Sequence, residues 1–88
     1  MEKIRACFGF QPKGKESARS FAQAFRSGGF QITLLEDSYE NCRAFATEQG
    51  MSHLLYFETE EDLLFSLLDG EMAGFTAKMR TQDLTLPQ

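Results

Sequence analysis

The chain has 88 residues, of which 42% are hydrophobic and 25% are charged, and this composition is typical of one small folded domain and not of a disordered chain. The 9 basic and 13 acidic residues give a net charge of −4, which argues against non-specific nucleic-acid binding, because proteins of that class neutralise phosphates with Lys and Arg. The sequence has no run of about 20 apolar residues that would span a membrane and no long apolar run behind its N-terminus, so we expect a cytoplasmic protein with no signal peptide and no membrane contact.

Alternation and helical spacing define the first two elements. Apolar side chains alternate with the others over Lys3–Phe8, which predicts a strand. Two glycines and a proline within positions 9–14 then indicate a loop. A helix is predicted over Lys15–Ser27, since apolar residues recur there at helical spacing, and Gly28-Gly29 would end it. The apolar stripe of this helix consists of Ala18, Phe21, Ala22 and Phe25.

The same order of strand and helix follows a second time. Phe30–Leu35 alternates as a strand, and the segment from about Tyr39 to Gln49 has helical spacing, with Asp37 or, as the alternative, Ser38 as its N-cap. His53–Phe57 carries an unbroken apolar run, which is typical of a central strand covered on both faces. Because short links between strands and helices favour right-handed crossovers, we expect three parallel strands in the order second, first, third.

The last third of the chain allows two interpretations. In the favoured one, Leu63–Leu68 and Ala73–Met79 are the arms of a hairpin that turns at Asp69-Gly70, a dipeptide typical of such turns. In the alternative, the acidic run that precedes the first arm caps a helix over that arm. Thr81–Leu84 is similar to the start of one more helix. The hairpin would complete a mixed five-stranded sheet with the fourth strand antiparallel, within a single α/β domain over residues 1–88.

Two loops are predicted to flank the crevice at the carboxyl ends of the first and third strands, where open α/β sheets bind ligands. Gly9–Lys15 has the G-x-x-x-x-G-K spacing of a phosphate-binding loop, but it continues with Glu16 in place of the Ser or Thr that would hold Mg²⁺. The facing loop, Glu58–Asp62, is acidic. We therefore expect the two loops to attract each other, which disfavours a nucleotide site.

No residue pattern indicates catalysis or a metal site. The single histidine, His53, and the carboxylates at 60–62 lack a nucleophile or a ligand set at suitable spacing, and Cys7 and Cys42 match neither a zinc site nor a disulfide framework. We therefore expect a protein that is not an enzyme and that holds no cofactor. The basic residues of the first half form either a solvated helix face or a patch for an anionic ligand. They are Lys13, Lys15, Arg19 and Arg26.

Four stretches carry a resemblance to a known family. Phe25–Phe30 is similar to an L-R-x-x-G-I pattern before a second strand, and Phe45–Met51 to an A-x-x-x-G-A/I pattern before a third. Ile32–Leu35, which leads into an acidic pair, and Arg80–Leu84, at the start of a final helix, complete the match. With the order of its elements, the chain resembles the C-terminal anticodon-binding domain of class II aminoacyl-tRNA synthetases, in particular of the histidyl-tRNA synthetase type.

The resemblance implies a three-layer α/β fold, with βαβαβ followed by a hairpin and by a last helix that is truncated here. It also implies two alternative functions. One is a non-catalytic regulatory module like that of the regulatory subunit of ATP phosphoribosyltransferase, a paralogue that acts in histidine biosynthesis without tRNA, and the acidic charge and shortened end favour this function. The other is recognition of the tRNA anticodon arm, for which the contact residues would be Lys13, Lys15, Arg19 and Arg26.

The predicted hairpin is more apolar than a strand near the edge of a sheet requires, which indicates a covering partner. We therefore expect self-association or a protein partner on this hairpin. The contact residues would be Phe65, Leu67, Phe75 and Met79. Phe10, in the predicted loop after the first strand, is a further candidate for an exposed contact.

Overall fold

A computed structural model describes residues 4–84 as five strands and two helices. The elements are β1 (Arg5–Phe10), α1 (Lys15–Ser27), β2 (Gln31–Glu36), α2 (Tyr39–Glu48), β3 (His53–Phe57), β4 (Asp62–Leu67) and β5 (Thr76–Arg80), with 3-10 turns at Pro12–Gly14 and Thr81–Asp83. None of the helices in this part of the chain is both long and apolar enough to cross a bilayer.

The strands form one mixed sheet in the order β2-β1-β3-β4-β5. β1 runs parallel to β2 and β3, whereas β4 is antiparallel to both β3 and β5. The predicted α/β fold, the strand order and the antiparallel fourth strand are therefore confirmed. The alternative of a helix over Leu63–Leu68 is wrong, because residues 62–67 form the strand β4, whose backbone pairs in register with β3 and β5.

The sheet carries one helix on each face, because right-handed crossovers from β1 to β2 and from β2 to β3 step in opposite directions. On the face covered by α1, called the α1 face, Phe8 lies between Phe25 and Phe57 with ring centroids 5.5 Å from each. On the opposite face, called the α2 face, Cys42 and Tyr56 are fully buried. The core therefore has two layers, and the central strands β1 and β3 contribute side chains to both.

The first strand ends two residues later than predicted, and this corrects two assignments. β1 continues through Gly9 to Phe10, so Gly9 lies inside the sheet and not in a loop. Phe10 is only 7% exposed and packs in the core of the α1 face, so its assignment as an exposed contact is wrong. The physical reason is that β1 is covered on both faces. A glycine is favoured in such a strand where α2 approaches its backbone closely.

The helix ends follow their capping residues. α1 has the predicted bounds and ends at Gly28-Gly29, where Gly29 adopts a φ of 97°. The N-cap of α2 is Ser38, the alternative candidate, whose side chain accepts a hydrogen bond from the Asn41 backbone. Asp37 instead stands one residue outside the helix and accepts hydrogen bonds from the Ser38 backbone and from the Asn41 side chain.

The hairpin is confirmed, but its connection is longer than the predicted turn at Asp69-Gly70. The Gly74 backbone N–H donates to the Leu67 carbonyl at 2.8 Å and so closes a loop over 68–75. Gly74 has a φ of 94°, which is incompatible with an extended strand, and β5 therefore begins at Thr76 and not at residue 73. After β5 the chain makes one 3-10 turn over Thr81–Asp83, where the start of a further helix was predicted over Thr81–Leu84, and Leu84 is already extended.

Candidate functional site

The loops at the carboxyl ends of β1 and β3 are joined by hydrogen bonds. The Gln11 backbone N–H donates to the Phe57 carbonyl at 3.1 Å. In the first turn of α1, the Ser17 backbone N–H donates to the Glu60 carboxylate at 3.2 Å, and the Ser17 hydroxyl donates to the Glu60 carbonyl at 2.7 Å. A carboxylate at a helix N-terminus is favourably placed against the helix dipole. Glu60 therefore occupies the position at which an anionic ligand would approach this helix.

Hydrogen bonds of Gln11 and Ser17 connect this region, in place of the predicted charge attraction between the lysines and the acidic loop. Lys13 and Lys15 are exposed, and within residues 4–84 neither takes part in an ion pair. The acidic loop is connected instead to β5, where Arg80 lies 3.6 Å from Glu61 and 3.9 Å from Asp62. These groups are exposed, and such pairs contribute roughly 0–1 kcal/mol.

The two glycines of the G-x-x-x-x-G-K segment serve close packing. A Cβ atom at Gly9 would lie 2.5 Å from Cys42 Sγ, and one at Gly14 would lie 2.5 Å from the Phe57 carbonyl oxygen. The first glycine admits α2 against the sheet, and the second admits the 3-10 turn against the end of β3. This spacing is therefore explained without a phosphate.

The four basic residues do not form one patch of equivalent groups. Lys13, Lys15 and Arg19 are exposed around the first turns of α1. Arg26, near the opposite end of the helix, donates from Nε and Nη2 to the Ile32 carbonyl of β2 at 3.2 and 2.7 Å. Its guanidinium is therefore engaged with the edge of the sheet, a role that spacing along the helix does not reveal.

The buried polar groups have structural partners. Burial raises the pKa of the Cys7 thiol to about 12 and that of the Cys42 thiol to about 11, so both thiols stay protonated at neutral pH. His53 Nδ1 lies 2.6 Å from the Ser52 hydroxyl, and its ring packs 5.8 Å from that of Phe65. Among the residues that the structure describes, no group of His, Cys, Asp and Glu side chains is placed to hold a metal ion.

The hairpin carries apolar side chains that the rest of the molecule leaves partly uncovered. α1 packs against β1, β2 and β3, and the α1 face of β4 and β5 lies beyond it. Phe75 is 45% exposed and the adjacent loop residue Met72 is 56% exposed, whereas Phe65, Leu67 and Met79 are half-buried. We call Phe65, Leu67, Met72, Phe75 and Met79 the hairpin patch.

An apolar groove of about 230 Å³ extends the hairpin patch along the α1 face. Phe25 and Phe30 form one wall, and Phe65 and Leu84 form the other. From the sequence, Phe25 and Phe30 were assigned to the core, and neither Ile4 nor Leu84 was identified as a lining residue of this groove.

The strand order and the two opposed helices define the class of this protein as a mixed, doubly wound α/β domain with a C-terminal hairpin. A similar fold occurs in the solved structure of the PelC L103M dodecamer from Paraburkholderia phytofirmans, with a TM-score of 0.53 and 16% sequence identity over 93% of this chain and 75% of that chain. Similarity at this level of identity concerns the fold alone. The sequence matches no protein-family model and no curated protein.

Proposed function

We propose that the chain is a non-catalytic binding module that acts by protein association, and that the hairpin patch is its contact surface. The observation that carries the proposal is the exposure of Phe75 and Met72 beside half-buried apolar side chains of β4 and β5. Contiguous apolar surface of this kind is typical of protein-interaction sites.

Charge favours a protein partner over tRNA. The net charge is −4, and the Glu60 carboxylate accepts a hydrogen bond from the Ser17 backbone at the N-terminus of α1. Arg26, one of the four candidate tRNA contacts, is already hydrogen-bonded to β2. A phosphate backbone approaching this side would therefore meet an acidic loop beside Lys13, Lys15 and Arg19, which form no ion pair within residues 4–84. Tight phosphate binding requires several uncompensated Lys and Arg side chains.

The finer form of the proposal follows the family resemblance. We infer that the chain is a regulatory module of the type found in the regulatory subunit of ATP phosphoribosyltransferase, with tRNA anticodon-arm recognition as the alternative. The net charge of −4 supports the first form, because recognition of tRNA favours a basic surface. The similar PelC structure is that of a dodecamer, so this fold is compatible with assembly.

Sedimentation velocity with two candidate partners tests the proposal. The labelled chain is mixed with a purified catalytic subunit of ATP phosphoribosyltransferase or with total tRNA at low salt. We expect co-sedimentation with the protein and no shift with tRNA. The variant Phe75→Ser removes the most exposed ring of the hairpin patch and should abolish co-sedimentation, while the double variant Lys13→Glu, Lys15→Glu should leave it unchanged.

The reverse pattern would overturn the proposal. Binding of tRNA that is weakened by the lysine variants and unaffected by Phe75→Ser would assign the chain to anticodon-arm recognition. A chain that sediments as a monomer at every concentration and in both mixtures would exclude the hairpin patch as an association surface. Circular dichroism of each variant serves as the control for folding.

A further inference from the structure

The two edges of the sheet differ in how their backbone groups are satisfied. In β2, the Gln31 N–H pairs with Ile4 on the side of β1, so the neighbouring residue Ile32 directs its carbonyl to the free side. The Arg26 guanidinium covers that carbonyl with two hydrogen bonds. A charged side chain laid across an edge is a recognised obstacle to strand pairing. The β2 edge is therefore blocked.

The β5 edge presents an open row of backbone groups. The Leu67 N–H donates to the Phe75 carbonyl, and the Thr81 N–H donates to the Glu61 carbonyl. The backbone N–H and C=O groups of the odd-numbered residues of β5 are therefore the ones that hydrogen-bond to β4. The N–H and C=O groups of the even-numbered residues point away from the sheet. Among the strands of residues 4–84, β4 is the single neighbour of β5, and this row is available to a further strand.

We propose that the β5 edge binds the β5 edge of a second copy of this chain, antiparallel and about a two-fold axis that passes between the two Ala77 residues. The proposal rests on the proposed function, because it specifies one partner for the hairpin patch. The two copies would form one continuous sheet with their α1 faces on the same side. Such a contact is isologous and closes after two copies.

Side-chain pairing selects this register. With Ala77 opposite itself, Phe75 of each copy faces Met79 of the other on the α1 face, and Thr76 faces Lys78 on the α2 face. Apolar cross-strand pairs are favourable, and the small Ala77 side chains at the centre let the backbones approach closely. A shift that places Lys78 opposite Lys78 sets like charges directly against each other, which is destabilising.

The edge is also held in a fixed conformation by its side chains. The Ser66 hydroxyl lies 2.7 Å from the Tyr39 hydroxyl and 3.1 Å from the Thr76 hydroxyl. Ser66 is 1% exposed, so this hydroxyl cluster anchors the start of β5 to β4 and α2. Because the strand is ordered before it pairs, association costs less conformational entropy than it would for a flexible edge.

Disulfide trapping tests the register. In the proposed dimer the two Ala77 residues form a non-hydrogen-bonded pair with Cα atoms about 4.5 Å apart, within the range that a disulfide requires. Ala77→Cys, oxidised with copper phenanthroline, should give a covalent dimer as the main product. The matched control Lys78→Cys is offset by two residues, about 7 Å along the strand, and should remain at the background of the parent chain, whose two thiols are buried.

The opposite result refutes the register. Efficient trapping of Lys78→Cys with little trapping of Ala77→Cys would place the axis at Lys78, and background levels for both would refute an edge-to-edge dimer. Sedimentation of the parent chain should show a mass that rises with concentration towards that of two chains, because short interfaces are typically weak. Lys78→Pro removes an outward N–H that makes no bond to β4 and should abolish this rise.

The test separates this inference from the proposed function. If the parent chain is monomeric and Ala77→Cys is not trapped, but the catalytic subunit still binds in a manner sensitive to Phe75→Ser, then the hairpin patch serves a different partner and the second-copy inference fails alone. If trapping succeeds and the catalytic subunit does not bind, then the inference holds and the regulatory form of the proposed function fails.

Discussion

Gly9→Ala tests the close packing of α2 on the sheet. A Cβ atom at this position would lie 2.5 Å from Cys42 Sγ, 2.9 Å from Cys42 Cβ and 2.9 Å from Tyr56 Cδ1. Two of these atoms belong to a helix and the third to the ring of a core tyrosine, so none is the mobile end of a long side chain. Forcing one carbon into a packed core costs about 1–3 kcal/mol, and contact from two directions places this site in the upper part of that range.

The expected effect is large for a domain of this size. One kcal/mol corresponds to about 4–8 °C in the melting temperature of a 60–100-residue domain, so Gly9→Ala should lower it by about 8–20 °C in a calorimetric or circular dichroism melt. Gly28→Ala is the matched control, because Gly28 is exposed and its φ of −84° suits alanine. Its effect should stay within about 0.5 kcal/mol.

A double variant identifies the contact responsible. Cys42→Ala removes the nearest sulfur atom, so the combination of Gly9→Ala with Cys42→Ala should recover about 1 kcal/mol relative to the sum of the single variants. A melting temperature for Gly9→Ala indistinguishable from that of the parent chain would refute the packing argument. If Gly9 instead belonged to a phosphate-binding loop, its substitution would change nucleotide binding and leave stability nearly intact.

Two further predictions concern titratable groups. The thiols of Cys7 and Cys42 have pKa values raised by burial, so Ellman's reagent at pH 8 should react with both only after denaturation; rapid reaction in the native state would contradict this. Hydrogen bonds, first from the Asn41 side chain, lower the pKa of Asp37. This carboxylate therefore stabilises the fold fully above its unfolded-state pKa of about 3.9, and the contribution disappears as the pH falls through the lowered folded-state value. Asn41→Ala should raise the pKa of Asp37 in a carboxyl NMR titration, and an unchanged value would show that this side chain is not the cause.

The elements with a clear period were predictable from the sequence. α1 has the predicted bounds, because its apolar stripe and the Gly28-Gly29 pair mark both its buried face and its end. β3 was assigned as a central strand from its unbroken apolar run, and four of its five residues are buried. In both cases the spacing of apolar residues along the sequence shows which side chains face the core.

The candidate site was predictable only in part. Four residues of the hairpin patch were found because they lie in the apolar or alternating runs of the two predicted arms, namely Phe65, Leu67, Phe75 and Met79, whereas the loop residue Met72 was missed. Whether they contact a partner remains a prediction. The engagement of Arg26 with β2 could not be read from helical spacing, which treats it as equivalent to Arg19. Glu60 is likewise 43 residues from the Ser17 atoms that it contacts, and no local pattern links positions so far apart.

Periodicity and capping were sufficient to derive the α/β class and the order of the three parallel strands, and they favoured the antiparallel hairpin over a helix. Each of these features depends on interactions within a few residues and on the handedness of short connections. The folded chain was needed to place Gly9 inside a strand, to bury Phe10 and to distinguish a blocked sheet edge at β2 from an open one at β5. These features arise where distant segments meet, and their energies depend on distances of a few ångströms between side chains that the linear order keeps apart.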